Sequence, residues 1–249
     1  MSKIIEEIAK LQALNPALTV SIVGSGGKTT LMKQLAQELA GPVLCATSTK
    51  LGTEQALYFD QHIVWNESEK EAPNLFPENA KSYLISSGII GDLQHQRINN
   101  LSETQFEKLH QLCLEKGLPL VIEADGAKCK SLKAPAAWEP VIPNFTDLVV
   151  VVVGLRDLMK PLSEEVVFRS ELFSKISYLT MGEPIDIDAI CRYLKDPLGG
   201  LKGIPNEAKT FVYFVISGTE NHQLVDKTSI SKALQPHFDK IFYSREIFG

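Results

Sequence analysis

The apolar positions change period several times along the chain, and each change predicts an element. Ile4, Ile5, Ile8, Leu11 and Leu14 recur at helical spacing after Ser2, predicting an amphipathic helix that stops at Asn15-Pro16. Leu18 to Val23 is a strand. Leu31, Leu35 and Leu39 share one helical side, and Gly41-Pro42 ends that helix. Strands follow at Val43 to Thr47, His62 to Trp65 and Lys81 to Ser86. Ser102-Glu103-Thr104-Gln105 is a capping-box signature opening a helix with Phe106, Leu109, Leu112 and Cys113, closed by Gly117. Leu118 to Ile122 and Leu148 to Val153 are apolar without alternation, as in interior strands of a parallel sheet covered on both faces. Helices are predicted over Ser163 to Ile176, Ile187 to Leu194 and Ile230 to Phe238, with a strand at Thr210 to Ile216. Strands alternating with helices predict an α/β fold: a P-loop NTPase-like, mostly parallel sheet flanked by helices. One domain over 1–249 is expected, with 161–206 as a helical appendage.

Composition narrows the class. The 249 residues are 44% hydrophobic, enough for a substantial core, and the net charge of −5 without a basic run argues against a nucleic-acid partner. Cys45, Cys113, Cys129 and Cys191 are widely spaced, which fits a reducing compartment better than a disulfide framework or zinc site. The first residues carry Glu6 and Glu7 and no signal-peptide pattern, and the longest apolar run is far too short to span a bilayer. A cytoplasmic protein without a membrane partner is expected.

The chemistry concentrates where Leu18 to Val23 meets Leu31. Gly24-Ser25-Gly26-Gly27-Lys28-Thr29-Thr30 is a glycine-rich turn between a strand and a helix. Glycines let successive backbone N–H groups converge on an anion, and the helix N-terminus adds further donors. Lys28 reaches β/γ-phosphates in such a loop, and the Thr29 hydroxyl is placed to ligate Mg²⁺. Ile22 stands where the longer G-x-x-x-x-G-K-[ST] pattern has its first glycine, so the match is to a shorter G-x-x-G-K-T-T form. The alternative is a plain turn with an incidental lysine.

Glu123 and Asp125 follow a buried strand, where ligands of open α/β sheets bind. Either can hold Mg²⁺, directly or through water, or orient an attacking water, with Asp125 favoured because the following Gly126 lets the backbone approach the nucleotide; one can instead cap the turn before Gly126. Thr47-Ser48-Thr49-Lys50 leaves the second strand at the same edge, either to touch phosphate or as a polar exit, with Thr49 and Lys50 as the binding candidates. Lys128, Lys130 and Lys133 form a basic stretch that either binds an anion or is a solvated loop. Cys129 within it is either a reactive thiol or an ordinary small residue. The five histidines form no metal-binding pair.

These motifs recur together in one family. Val23 to Thr30, Thr47 to Lys50, Glu123 to Ala127, Leu132-Lys133-Ala134-Pro135 and Glu139 to Pro143 are joined by Val153-Gly154-Leu155, Lys160-Pro161-Leu162 and Gly199 to Gly203. In that order and spacing the chain resembles the YqeC family, accessory proteins of selenium-dependent molybdenum hydroxylases. The resemblance implies a P-loop NTPase that prepares a selenium-containing cofactor. A nucleotide, ATP ahead of GTP, would bind with Mg²⁺ through Gly24 to Thr30, and Lys28, Glu123 and Asp125 would be catalytic. An anionic cofactor precursor and a hydroxylase client are the further partners. The alternatives are a nucleotide-gated delivery protein with little hydrolysis, or a small-molecule kinase or ligase. Two departures from the family pattern stand out. Val166 to Glu171 keeps only Arg169 and Glu171 of an H-V-H-R-P-E segment, and Ser217 to Glu220 lacks an N-K-x-D segment, so guanine recognition has no support.

Overall fold

The computed structural model describes residues 2–69, 71–73, 79–92, 95–128, 130–217 and 225–244. Its strands are β1 (Thr19–Ser25), β2 (Val43–Thr47), β3 (Leu51–Gly52), β4 (Gln61–Val64), β5 (Ser82–Ser86), β6 (Gly88–Ile90), β7 (Arg97–Asn99), β8 (Leu120–Glu123), β9 (Leu132–Lys133), β10 (Leu148–Gly154), β11 (Val167–Phe168), β12 (Lys209–Val215) and β13 (Lys240–Tyr243). Its helices are α1 (Lys3–Leu14), α2 (Lys28–Glu38), α3 (Glu103–Lys116), α4 (Ser170–Ser177), α5 (Ile187–Lys195) and α6 (Lys227–Leu234). Eight strands form an all-parallel sheet in the order β13-β12-β10-β1-β8-β2-β5-β4, flanked by helices. Every residue of β2, β5, β8 and β10 is buried, which is why these runs show no alternation of apolar and polar side chains.

The chain divides into two compact units. The first comprises residues 1–22, 29–125 and 141–148. There β1 pairs with β8 from Thr19↔Leu120 to Ile22↔Glu123, and β2 flanks β8 as far as Thr47↔Glu123. Ile22, Glu123 and Thr47 therefore lie level across the sheet, at the point where β8 and β2 end. Ile4, Ile5 and Ile8 bury one face of α1, whereas Leu14 at its last turn is exposed. The capping box of α3 forms as predicted: Gln105 N–H donates to Ser102 Oγ at 3.4 Å and Ser102 N–H to Gln105 Oε1 at 3.0 Å. Gly117 ends α3 at φ 62°, a conformation that costs other residues about 1–2 kcal/mol. A small antiparallel sheet, β3-β7-β6, was not legible in the sequence because its strands are two or three residues long.

The second unit holds residues 23–28, 126–140 and 149–249. Here β12 pairs with β13, a strand that the apolar pattern did not reveal, and β9 pairs with β11. The predicted helix from Ser163 begins only at Ser170. Val167 and Phe168 are drawn into pairing with Leu132 and Lys133, and Arg169 sits at φ 63°, outside helical geometry. The Glu164 carboxylate accepts from Ser170 N–H at 2.8 Å and so caps the delayed start. Asp226 likewise opens α6 earlier than Ile230, accepting from Thr228 N–H at 3.0 Å. Cys45, Cys113 and Cys191 are unbonded to one another and buried, and burial pushes their thiols up, Cys113 to about 12 and Cys191 to about 11. Cys129 lies outside the described residues, as do Gly218, Thr219 and Glu220. Among the described residues no helix is long and apolar enough to cross a membrane.

Candidate functional site

The glycine turn departs from β1 and enters α2 within two residues. Its backbone conformation requires glycine. Gly24 lies at φ 89° and Gly26 at φ 77°. A Cβ on Gly24 would stand 2.2 Å from the Val152 carbonyl oxygen, and one on Gly26 would stand 2.6 Å from Gly154 Cα. Backbone therefore packs on backbone where the loop turns, and Gly154 belongs to that contact. Ser25 Oγ donates to the Ser131 carbonyl at 2.9 Å, and Ser131 Oγ donates to Asp157 Oδ2 at 2.6 Å. Ser131 and Asp157 thus brace the loop. They lie 106 and 132 positions from Ser25, and no local pattern marks them in the sequence.

Lys28 opens α2 and is 5% exposed. Its ammonium folds back to donate to the Gly24 carbonyl at 2.9 Å, inside the turn it follows. Thr29, one residue on, donates its hydroxyl hydrogen to Glu123 Oε2 at 2.7 Å. That bond fixes the hydroxyl rotor and leaves the oxygen's lone pairs directed away from Glu123. Glu123 is held from its backbone as well, its carbonyl accepting from Ser48 N–H at 3.0 Å. Asp125 is 3% exposed, two residues beyond Glu123 and outside the strand. Alternation on an ideal strand would set both carboxylates on one side, but β8 ends at Glu123, so strand geometry does not govern Asp125.

The remaining candidates are arranged differently. Thr49 is turned back on Thr47, whose Oγ1 donates to the Thr49 carbonyl at 2.6 Å and accepts from Thr49 N–H at 3.0 Å. Lys50 and Thr30 are exposed. The basic stretch is largely an internal fastening. Lys133 is buried and donates to Glu139 Oε2 at 2.8 Å and to the Gly126 carbonyl at 2.6 Å. Lys130 donates to the Glu165 carbonyl, and the Lys128 ammonium sits 4.8 Å from the Phe168 ring centroid. Arg169 forks onto Glu139 at 2.7 and 3.1 Å. Burial alone would raise the Glu139 carboxyl, but hydrogen bonds and positive charge from Arg169 and Lys133 outweigh it and hold the group at about 2.

A parallel sheet whose first strand runs through a glycine turn into a helix, with a carboxylate on the hydroxyl after the lysine, defines a P-loop NTPase-like α/β protein. The family described as YqeC protein matches residues 20–171, more than half of the chain. The chain belongs to the YqeC family. It is 26% identical over 234 residues to a protein of Escherichia coli (strain K12) described as "Uncharacterized protein YqeC", covering 92% of this chain and 88% of that one. No solved structure matches.

Proposed function

We propose that the protein is a Mg²⁺-nucleotide-binding P-loop NTPase serving maturation of a selenium-containing cofactor for molybdenum hydroxylases. The observation that carries the nucleotide reading is the Thr29–Glu123 bond of 2.7 Å directly after the glycine turn and Lys28. A hydroxyl and a carboxylate form an all-oxygen donor pair, the chemistry that Mg²⁺ selects. Thr29, Glu123 and Asp125 are the residues that would hold the ion. When bound, Mg²⁺ would neutralise charge on the phosphates. Lys28 would exchange the Gly24 carbonyl for a phosphate oxygen, and the N–H groups of Gly24 to Thr30 would receive the remaining phosphate charge. Glu123 would orient the Thr29 hydroxyl, and catalysis would rest on positioning more than on covalent chemistry. ATP is proposed ahead of GTP because the chain lacks an N-K-x-D segment.

Titration with ATP and GTP, with and without Mg²⁺, tests this reading. Binding of the wild type should require Mg²⁺. Glu123→Gln keeps the shape of the side chain but removes its charge, and should weaken Mg²⁺ affinity about 10- to 100-fold. Nucleotide binding indifferent to Mg²⁺ in both proteins would leave Glu123 a structural role only. The pathway part rests on the family resemblance, and deletion of the gene tests it. Selenium-dependent molybdenum hydroxylase activity should fall in cells that make such an enzyme, while general selenocysteine insertion is unaffected. Normal hydroxylase activity and selenium content in the deletion strain would overturn the pathway assignment.

A further inference from the structure

The first unit contains a cavity of about 410 Å³ beside the sheet edge where Glu123 ends, within the size range of small-molecule sites. Ser48 lies on one side of it, the start of α3 on another, and residues 141–145 on a third. Both Ser48 and the 141–145 segment hang from the end of β8. Ser48 N–H donates to the Glu123 carbonyl at 3.0 Å, and Val141 N–H to the Ala124 carbonyl at 3.0 Å. The cavity is therefore fastened to the residue that holds Thr29.

Its walls are preformed. Phe145 stacks on His110 with centroids 4.1 Å apart and planes 9° from parallel. Burial lowers the His110 pKa, against a smaller opposing pull from Asp147, so the imidazole brings no charge at neutral pH. The chain beyond Phe145 is pinned to β1: Thr146 and Ser21 hydroxyls lie 2.9 Å apart, and Asp147 Oδ2 accepts from Thr19 N–H at 2.7 Å. Phe106, held at 4% exposure by α3, adds a second aromatic surface.

The polar groups select against an anion. Glu103 and Glu107 line the cavity, and no lysine, arginine or histidine does so among the described residues. At the start of α3 the Gln105 N–H is already taken up by Ser102 Oγ. Asn100 and Asn144 also line the cavity and bring uncharged hydrogen-bonding amides to it.

We propose that this cavity is the site of an uncharged, planar ring compound with a hydrogen-bonding edge toward the Asn100 and Asn144 amides, the second substrate of the nucleotide site. The role as second substrate rests on the nucleotide reading above; the occupancy does not. It differs from the anionic precursor expected from the basic stretch, whose Lys133 is committed to Glu139.

Matched probes test the charge and shape together: 3-methylindole and indole-3-acetate, followed by ligand-observed NMR on the full chain. 3-Methylindole should bind, and the carboxylate analogue should bind about fivefold or more weakly, the factor expected from one like-charge contact in a wet site. Val141 lines the cavity and is half-exposed, so Val141→Trp should occlude it without disturbing the core. That variant should lose 3-methylindole binding while keeping wild-type thermal stability and Mg²⁺-ATP affinity. Equal affinity for the two probes, absence of 3-methylindole binding, or unchanged binding in Val141→Trp would each overturn the assignment. If selective ring binding persists while Mg²⁺-nucleotide binding fails, the cavity stands and the nucleotide reading falls.

Discussion

Lys28→Ala is expected to weaken Mg²⁺-nucleotide binding about 10- to 100-fold, because a charged hydrogen bond contributes about 1.5–3 kcal/mol. The lysine is almost wholly buried, and its ammonium donates to the loop's own Gly24 carbonyl. A cation stored that way is prepared for an incoming phosphate, which offers a stronger acceptor than a neutral carbonyl. The fold should survive, since the turn geometry rests on glycine conformations and on the Ser25–Ser131 bond rather than on this side chain. Calorimetric titration with Mg²⁺-ATP, together with circular dichroism, separates the two effects. Unchanged affinity in a folded variant would remove the central element of the proposed function.

Glu139→Gln should cost about 3–5 kcal/mol of stability, the range for removing one partner of a buried ion pair. The Lys133 side chain is 1% exposed and has Glu139 as its carboxylate partner. The neutral amide would take the Glu139 carboxylate away from that buried ammonium. Urea unfolding at neutral pH measures the loss. Lys133→Met combined with Glu139→Gln should recover part of it, because the buried ammonium leaves with the lysine. The same carboxylate sets an acid limit. Its folded value of about 2 lies below the ordinary 4.5, so its contribution is complete above pH 4.5 and is lost as pH falls toward 2. Asp157 behaves in the same sense. Burial opposes its ionisation, but hydrogen bonds from Lys160, Ser131 and Arg156 hold it at about 2 against an ordinary 3.8. Wild-type stability should therefore fall between pH 4.5 and 2, and Glu139→Gln should flatten that decline. A variant as stable as wild type, with the same acid profile, would show that Lys133 is neutralised by other means.

Much of the architecture is legible in local sequence because local physics decides it. The strand at residues 19–25, the glycine turn and the helix after it follow from a run of apolar residues, three glycines and a change of period. The capping box at Ser102 and the stop at Gly117 are self-contained, since each closes its bonds within a few residues. Unbroken apolar runs at Leu120 and Leu148 marked strands covered on both faces, and those strands lie inside the parallel sheet. The family was also readable from the order of its motifs.

What required tertiary structure are the relations between distant residues. Helical periodicity favoured a helix from Ser163, but pairing with Leu132 and Lys133 drew Val167 and Phe168 into a strand first. A run of lysines looks the same in sequence whether it faces solvent or a carboxylate; only the fold brings Glu139 and Arg169 to Lys133. Sequence favoured Asp125 over Glu123 for the metal because Gly126 follows it, while spacing of two sets both carboxylates on one side of an ideal strand. The strand ends at Glu123, and the parallel register that sets Ile22 beside it delivers its carboxylate to Thr29. Sequence determined which groups were available, since propensity, capping and backbone freedom are properties of neighbours along the chain. Which groups meet depends on register and on where each strand stops, and those are fixed by packing between segments a hundred residues apart.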